Sequence, residues 1–216
     1  MRPPLYYRLL SHILRLFFNL LYHQFSWGYD FVAAVVSGGR WKEWVRSVLP
    51  YLKGLRVLEL GHGPGHLLAA MHAGGLKVVG LDESKWMGLL GFKRLCGVGF
   101  GGLVVNGYAQ FMPFPNSSFD QVVSTFPSEF IMDPRTLSET HRILVDGGEL
   151  VILPSAWITG TGVYDRLAAW LFRVTGQAND WGDQFLEPIK KAGFQVRVEI
   201  QNRLSDRILI IIAQKS

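Results

Sequence analysis

The stretch Val57–His66, which reads VLELGHGPGH, decides the fold. A short apolar run leads into a turn with glycine at every second position, and an apolar segment of helical length follows. Gly61, Gly63 and Gly65 allow backbone angles and a close ligand approach that a side chain would block. In doubly wound α/β sheets, ligands bind at the carboxyl ends of the strands, where this turn falls. The stretch therefore predicts a strand, a ligand-binding turn and a helix whose first amides favour an anionic group.

The spacing of the glycines distinguishes this turn from the turn of a dinucleotide-binding site. The dinucleotide fingerprint is G-x-G-x-x-G, and counting from Gly61 its last position is His66. Glu59 precedes the turn, and its negative charge would repel a pyrophosphate but attract an amine or a sulfonium. These residues argue against NAD and favour a nucleotide analogue that carries both a positive charge and a carboxylate.

Asp82 supplies a second element of a nucleotide site. It follows the apolar run KVVGL and lies seventeen positions after Gly65. An acid about 20 residues beyond such a turn binds the ribose hydroxyls in α/β nucleotide-binding proteins. The alternative role of Asp82 is to cap the next helix, and the glycine turn upstream favours the ribose role.

Short apolar runs alternate with helical stretches from residue 55 onward, which predicts a Rossmann-like, doubly wound α/β sheet, mostly parallel and covered on both faces. The seven predicted strands are Arg56–Leu60, Lys77–Leu81, Leu103–Asn106, Asp120–Thr125, Glu149–Leu153, Phe194–Gln201 and Arg207–Ala213. The predicted helices are Trp41–Leu49, which Pro50 would stop, His66–Ala73, Ser84–Arg94, Pro134–Leu144, Val163–Val174 and Gln184–Ala192. We expect a helical cover over residues 1–53 and an α/β domain over residues 54–216.

Composition and charge limit the class of protein. The chain has 216 residues, is 49% hydrophobic and 18% charged, and holds one cysteine, Cys96. A single cysteine excludes an internal disulfide and cysteine-based zinc or iron–sulfur sites, and no His/Asp/Glu cluster has metal-ligand spacing. No apolar run approaches the roughly 20 residues that span a bilayer. We therefore expect a globular protein, soluble or bound to a surface, with no metal.

The positive charge is concentrated at the start of the chain. Residues 1–56 hold eight of the 22 Lys and Arg but only two of the 17 Asp and Glu. Nucleic-acid-binding proteins cluster their basic residues more densely, so we expect no nucleic-acid partner. An anionic membrane surface is the better acidic partner for this basic segment.

Residues 5–24, LYYRLLSHILRLFFNLLYHQ, predict one amphipathic helix. Its polar stripe recurs at helical spacing and comprises Arg8, His12, Arg15, Asn19 and His23. Most of the remaining residues are aliphatic or aromatic. Such a helix either packs its apolar face on the domain or lies in a membrane interface, and both roles stay open.

The chain resembles the class I S-adenosylmethionine-dependent methyltransferases, in particular the broad family that contains quinone and phospholipid methyltransferases. The matching segments are VLELGHGPGH (57–66), VVGLDES (78–84), NGYAQFMPFPNSSFDQVVSTF (106–126) and HRILVDGGELVIL (141–153). They occur in the order and at the spacing of the family. The resemblance implies S-adenosylmethionine as cofactor and a seven-stranded sheet whose last strand is antiparallel.

The resemblance also implies roles for individual residues. The methionine part of the cofactor would lie against Glu59, Gly61, Gly63 and Gly65, the ribose against Asp82, the adenine against Tyr108 and Ala109, and the methyl donor near Thr125 and Phe126. Two positions depart from the family pattern. Tyr108 stands where many members have an Asp that binds the adenine amine, and Asp146 replaces a proline before two glycines.

Methyl transfer by in-line displacement depends mainly on positioning, and it needs a general base only when the acceptor carries a proton. His62 and His66 are the candidate bases, with loop or capping roles as the alternative. Residues 25–41, FSWGYDFVAAVVSGGRW, resemble the segment that covers the active site in phospholipid and quinone methyltransferases. Trp27, Tyr29 and Asp30 would then contact the acceptor, with ordinary packing as the alternative.

We therefore expect a methyltransferase acting on a small, apolar or lipid-like acceptor, of the phospholipid-amine or quinone type. TFPS at residues 125–128 shares only proline with the N/D-P-P-Y motif, which disfavours DNA and protein-amide acceptors. Two alternatives stay open: a nicotinamide-dependent oxidoreductase on a related fold, and a non-catalytic relative that binds cofactor or membrane. The expected location is cytoplasmic, with peripheral binding to the inner face of the membrane through residues 5–24.

Overall fold

The computed structural model describes residues 34–35, 37–99, 103–162, 165–166 and 185–216. Outside these residues lie the helix predicted at residues 5–24, the candidate acceptor contacts Trp27, Tyr29 and Asp30, and nearly all of the helix predicted at Val163–Val174. What the sequence predicts for those segments stays a prediction.

Seven strands form one sheet in the order β3-β2-β1-β4-β5-β7-β6. The strands are β1 (Arg56–Leu60), β2 (Lys77–Asp82), β3 (Leu103–Asn106), β4 (Phe119–Thr125), β5 (Leu144–Ile158), β6 (Phe194–Asn202) and β7 (Asp206–Lys215). Neighbours from β3 to β5 pair in parallel, whereas β7 is antiparallel to both β5 and β6. The doubly wound sheet and its antiparallel last strand are thus confirmed. Because the strand order reverses between β1 and β4, the crevice for a ligand lies outside the carboxyl ends of these two strands.

The helices of the described residues alternate with the strands. They are α1 (Trp41–Arg46), α2 (His66–Ala73), α3 (Lys85–Gly97), α4 (Pro134–Ile143) and α5 (Leu186–Lys191), with 3₁₀ turns at Leu49–Tyr51 and Glu129–Met132. The end predicted for the first helix was wrong, because α1 stops at Arg46 and Pro50 lies inside a 3₁₀ turn. Proline lacks the amide hydrogen of a continuing helix but fits the first turn of a new one.

Strand β5 is longer than the sequence predicts. The predicted strand Glu149–Leu153 is too short at both ends, since β5 spans Leu144–Ile158. Pro154 falls at an irregularity in the pairing with β7, and regular pairing resumes over 155–158. Proline is tolerated at such irregularities. Pairing with β7 is a contact between distant parts of the chain, so the local pattern around Pro154 does not reveal it.

The sheet separates two apolar layers. Alternate residues of a strand point to opposite faces, so Val57 packs in one layer and Leu58 in the other. The first layer includes side chains of α1, α2 and α3, and the second includes Leu137 of α4 and Ile189 of α5. Helices therefore cover both faces, and the carboxyl edge of the sheet stays available to a ligand.

Helix α1 packs into the first layer. The Trp44 side chain is fully buried, and its Nε1–H donates to Asp206 Oδ2 at 2.8 Å, at the start of β7. Val45 and Val48 are buried in the same layer. The division of the chain at residues 53/54 stays a prediction, but residues 44–48 share the apolar core of the α/β domain.

Candidate cofactor site

The glycine turn joins β1 to α2 at the carboxyl edge of the sheet, as the sequence predicts. The Gly61 amide donates to the Leu81 carbonyl oxygen at 2.8 Å, which ties the turn to the neighbouring strand β2. Gly61, Gly63 and Gly65 have φ angles of 65°, 52° and 80°. Side-chain-bearing residues rarely adopt these left-handed angles, so the turn requires glycine at all three positions.

The three glycines have different surroundings. A Cβ atom on Gly65 would lie 2.8 Å from the Gly91 Cα atom of α3, and one on Gly61 would lie 3.2 Å from the Phe130 ring. A Cβ atom on Gly63 would meet no atom of the described residues within 4 Å. Gly65 and Gly61 therefore serve packing, whereas the described residues leave space beside Gly63.

Asp82 lies at the end of β2, directly beside this turn. Its side chain is 2% exposed. Oδ2 accepts from the Gly63 amide and Oδ1 accepts from the Ser84 amide, each at 2.9 Å. The two amides thus fix the orientation of the carboxylate, and its role as acceptor for the ribose hydroxyls stays a prediction.

Glu59 lies beneath the turn, on the face of the sheet that α2 covers. Its carboxyl group is 2% exposed, and Oε2 has no hydrogen-bond partner among the residues that the structure describes. Burial and the nearby Asp82 charge raise the pKa of Glu59 well above its ordinary value, although a hydrogen bond from the Leu68 amide opposes this. Its negative charge is therefore disfavoured in the free protein, and Oε2 is an acceptor that a cation could reach.

Tyr108 and Ala109 follow β3 along the same edge. The Gly107 amide donates to the Asp82 carbonyl oxygen at 3.1 Å, which places this segment against the end of β2. Tyr108 is 62% exposed and Ala109 is buried. Tyr108 thus has ring surface available for stacking. A cavity of about 600 Å³ begins immediately after these residues and reaches α4.

Thr125 ends β4 and Phe126 directly follows it, on the other side of the crevice. Phe126 has a φ angle of 48°, a rare conformation for a bulky residue. Its amide donates to the Leu153 carbonyl oxygen at 2.7 Å, and its ring stacks on Trp41 with centroids 4.2 Å apart. Such strained backbone concentrates at functional sites. Phe126 and Trp41 together form what we name the aromatic wall.

The two candidate histidines differ in their surroundings. His62 is 4% exposed, and its ring packs between Gly80 of β2 and Gly91 of α3. Burial lowers the pKa of His62, and the Asp82 charge opposes this only in part. His66 is half-buried at the first position of α2. The packing of His62 favours a structural role, and the role of His66 as a base stays a prediction.

Sequence reasoning missed several contacts between residues that are far apart in the chain. Arg40 forms an ion pair with Asp165 at 2.5 Å, across a separation of 125 positions. Trp41 reaches Phe126, and Phe130 packs at Gly61. No local motif marks these contacts. Arg40 and Trp41 had a sequence signal, because they lie in the segment 25–41 that resembles the cover of the active site in related methyltransferases.

Among the described residues, features of a membrane-spanning helix and of a metal site are both absent. No helix among them combines the length and the apolar character that crossing a bilayer requires. No group of three or more His, Cys, Asp or Glu side chains in the same residues is arranged to hold a metal ion.

The fold and the site together define an α/β protein of the nucleotide-binding class. The defining features are the reversal of strand order, the glycine turn after β1 and the acid at the end of β2. Comparison with known proteins narrows this class. The sequence model of the family described as a methyltransferase domain matches residues 58–152. The chain belongs to the S-adenosylmethionine-dependent methyltransferases, which confirms the resemblance and the cofactor expected from its motifs.

Relatives with similar sequences are named as quinone methyltransferases. The demethylmenaquinone methyltransferase of Symbiobacterium thermophilum is 31% identical over 145 residues, which are 63% of this chain and 58% of that protein. The demethylmenaquinone methyltransferase of Geobacillus kaustophilus is 32% identical over 161 residues, which are 71% of this chain and 68% of that protein. The chain spans little more than half the length of several such relatives.

A solved structure shows the same fold in a more distant protein. It is the Haemonchus contortus phosphoethanolamine N-methyltransferase 2, in complex with phosphomonomethylethanolamine and S-adenosylhomocysteine. The match has a TM-score of 0.64 at 18% identity and covers 88% of this chain and 56% of that chain. At this identity, the likeness shows the fold alone.

Proposed function

We propose that the chain transfers the methyl group of S-adenosylmethionine to a planar, apolar acceptor of the quinone type. The single observation that carries the acceptor class is the aromatic wall at the carboxyl end of β4. Trp41 and Phe126 stack with an interplanar angle of 25°, next to the crevice where β1 and β4 diverge. Aromatic rings prefer offset-stacked or edge-to-face neighbours, so this wall suits an aromatic ring better than a flexible amine.

The residues around the glycine turn fit the cofactor. Gly63 borders the space for the methionine part, and Asp82 presents the acceptors for the ribose hydroxyls. The unpartnered Glu59 Oε2 suits a group with positive charge. Tyr108 offers a ring for stacking on the adenine, in place of the acid that many family members use. When bound, the cofactor supplies the reactive methyl group and an excellent leaving group.

The chain's own contribution to the reaction is positioning. Asp82 and the glycine turn hold one reactant while the aromatic wall orients the other, and alignment of this kind supplies much of the acceleration in a displacement reaction. Methylation at a ring carbon also releases one proton overall, and a base assists by taking a proton from the acceptor. His66 stays the proposed base, and Trp27, Tyr29 and Asp30 stay proposed contacts of the acceptor.

We also propose that the protein is cytoplasmic and that residues 5–24 bind it peripherally to an anionic membrane. Quinone-type acceptors with apolar tails partition into lipid, so a membrane-bound enzyme would meet them where they are concentrated. The proposal rests on the basic polar stripe and the aromatic-rich apolar remainder of that segment.

The first experiment is a calorimetric titration with S-adenosylhomocysteine, of wild type and of Asp82→Asn. We expect micromolar affinity for wild type and a loss of about tenfold or more for the variant, because a neutral amide replaces the charged acceptor of two ribose hydrogen bonds. A folded wild-type protein that does not bind S-adenosylhomocysteine would refute the methyltransferase proposal, and titration with NAD would then test the oxidoreductase alternative.

The acceptor class is tested with radiolabelled cofactor and two acceptors, a reduced demethylated quinone and phosphatidylethanolamine. We expect transfer to the quinol and not to the lipid amine. Trp41→Leu should raise KM for the quinol and leave the affinity for S-adenosylhomocysteine unchanged. The matched control is Trp86→Leu on the exposed side of α3, which should change neither quantity. Transfer to the lipid amine alone would refute the quinone assignment.

A further inference from the structure

The slot that holds the His62 ring is shaped by two glycines. A Cβ atom on Gly80 would lie 2.8 Å from His62 Cδ2, and one on Gly91 would lie 2.8 Å from His62 Cε1. Both distances are well below ordinary contact between carbon atoms. β2 and α3 therefore accommodate an imidazole at position 62 only because each has a glycine opposite it.

The His62 ring also bonds to the cofactor turn. Nδ1 lies 2.7 Å from the Gly63 carbonyl oxygen. A carbonyl oxygen can only accept, so Nδ1 carries the proton in this bond. The amide of the same glycine donates to Asp82 Oδ2 at 2.9 Å. Gly63 is thus held on its carbonyl side by His62 and on its amide side by the carboxylate proposed to bind the ribose.

We propose that His62 is a positioning residue for the cofactor. It acts through Gly63: the Nδ1–H bond fixes the orientation of this glycine, and the Gly63 amide in turn fixes the Asp82 carboxylate toward the ribose. The inference rests on the proposed cofactor site and assigns a role to a side chain that does not itself contact the cofactor. It replaces the role of base for His62, since the ring lies between β2 and α3.

The alternative is that His62 merely fills the slot. Filling alone would require only volume, and any apolar side chain of similar size would serve. A positioning role requires the donor at Nδ1. The pair His62→Asn and His62→Leu separates the two roles, because the asparagine amide places a donor near the position of Nδ1 whereas leucine fills the slot without a donor.

The experiment measures the dissociation constant for S-adenosylhomocysteine and the thermal midpoint of wild type, His62→Asn and His62→Leu. We expect about tenfold weaker binding for His62→Leu and affinity within about threefold of wild type for His62→Asn, since one buried hydrogen bond is worth roughly this much. The thermal midpoint shows whether each variant is folded at the temperature of the titration. Equal affinity in wild type and His62→Leu would overturn the proposal.

A second-site test uses Gly91→Ala, which adds the Cβ atom that would contact His62. In the wild-type background this change should displace the ring and weaken binding of S-adenosylhomocysteine severalfold. In the His62→Ala background it should have no further effect, because the clash is gone. An equal effect of Gly91→Ala in both backgrounds would contradict the inference. Failure of wild type to bind at all would instead refute the proposed cofactor site, so the two failures are distinguishable.

Discussion

Glu59 and Asp82 are two acids in one buried site, and their surroundings give them different tasks. Asp82 accepts from two backbone amides at 2.9 Å, which fix the orientation of its carboxylate. Glu59 is equally buried, but its Oε2 has no partner among the described residues, and the Asp82 charge repels a second negative charge. The two amides thus orient the Asp82 side chain, whereas Glu59 becomes an anion only at the expense of folding stability.

Glu59→Gln should stabilise the free protein at neutral pH. A carboxyl group whose pKa is raised in the folded state lowers the free energy of unfolding as pH rises above the ordinary glutamate value of about 4.3. Glutamine does not ionise. Between about pH 4.5 and 7, the free energy of unfolding should therefore fall less in the variant than in wild type. Urea unfolding at several pH values measures this difference.

The same substitution should weaken binding of the positively charged cofactor more than binding of S-adenosylhomocysteine, which lacks the sulfonium. The matched control is Glu129→Gln, at an exposed residue, and it should leave both the pH dependence and the affinities unchanged. A variant with the wild-type pH dependence would show that Glu59 is already ionised in the free protein.

At the scale of elements, the close approach of the glycine turn to α3 shapes the site. Gly65 caps the start of α2 in a left-handed conformation and meets Gly91 of α3 without a side chain between them. This contact places the amino-terminal turn of α2 against the middle of α3, the helix that follows Asp82 in the chain. The two glycines therefore allow α2 and α3 to approach each other closely.

Gly65→Ala should destabilise the protein by at least about 2 kcal/mol, since a left-handed angle costs an alanine about 1–2 kcal/mol and the added Cβ atom would lie 2.8 Å from Gly91 Cα. The matched control is Gly75→Ala. Gly75 has a φ angle of 85° but open space around it, so this variant isolates the conformational cost. Chemical denaturation of both variants measures the difference, and equal losses would show that the contact with Gly91 contributes nothing.

Local sequence pattern was sufficient to predict most of the strands and helices, whereas the predicted roles of the site residues stay predictions. Strand β1, helix α2 and strand β3 have their predicted bounds, because alternation, glycine spacing and caps act over a few residues. The extension of β5 was not predictable, since it depends on pairing with β7. The aromatic wall and the Arg40–Asp165 ion pair join residues 85 and 125 positions apart, and no pattern in one sequence indicates such contacts.

At the scale of the whole molecule, the net positive charge and the strands of the sheet lie in different parts of the chain. The net positive charge is concentrated in residues 1–56, which hold eight Lys and Arg but two Asp and Glu, whereas the sheet is built by strands from residue 56 onward. Helix α1 connects these parts, because Trp44 is buried in the core and donates to Asp206. We propose that the basic segment before α1 binds the membrane surface, with α1 anchored in the core of the α/β domain.

Deletion of residues 1–24 should abolish co-sedimentation with vesicles of phosphatidylglycerol and phosphatidylcholine. We expect wild type to bind, and to bind less at high salt, because screening weakens attraction between basic side chains and anionic lipid. Arg8→Glu with Arg15→Glu should weaken binding in the full chain, since both residues lie on the polar stripe. Lys190→Glu with Lys191→Glu makes the same change of charge at two exposed residues of α5 and should have no effect. If the truncated protein bound as well as the full chain, residues 5–24 would have to pack on the domain instead, and the membrane contact would lie on the α/β domain itself.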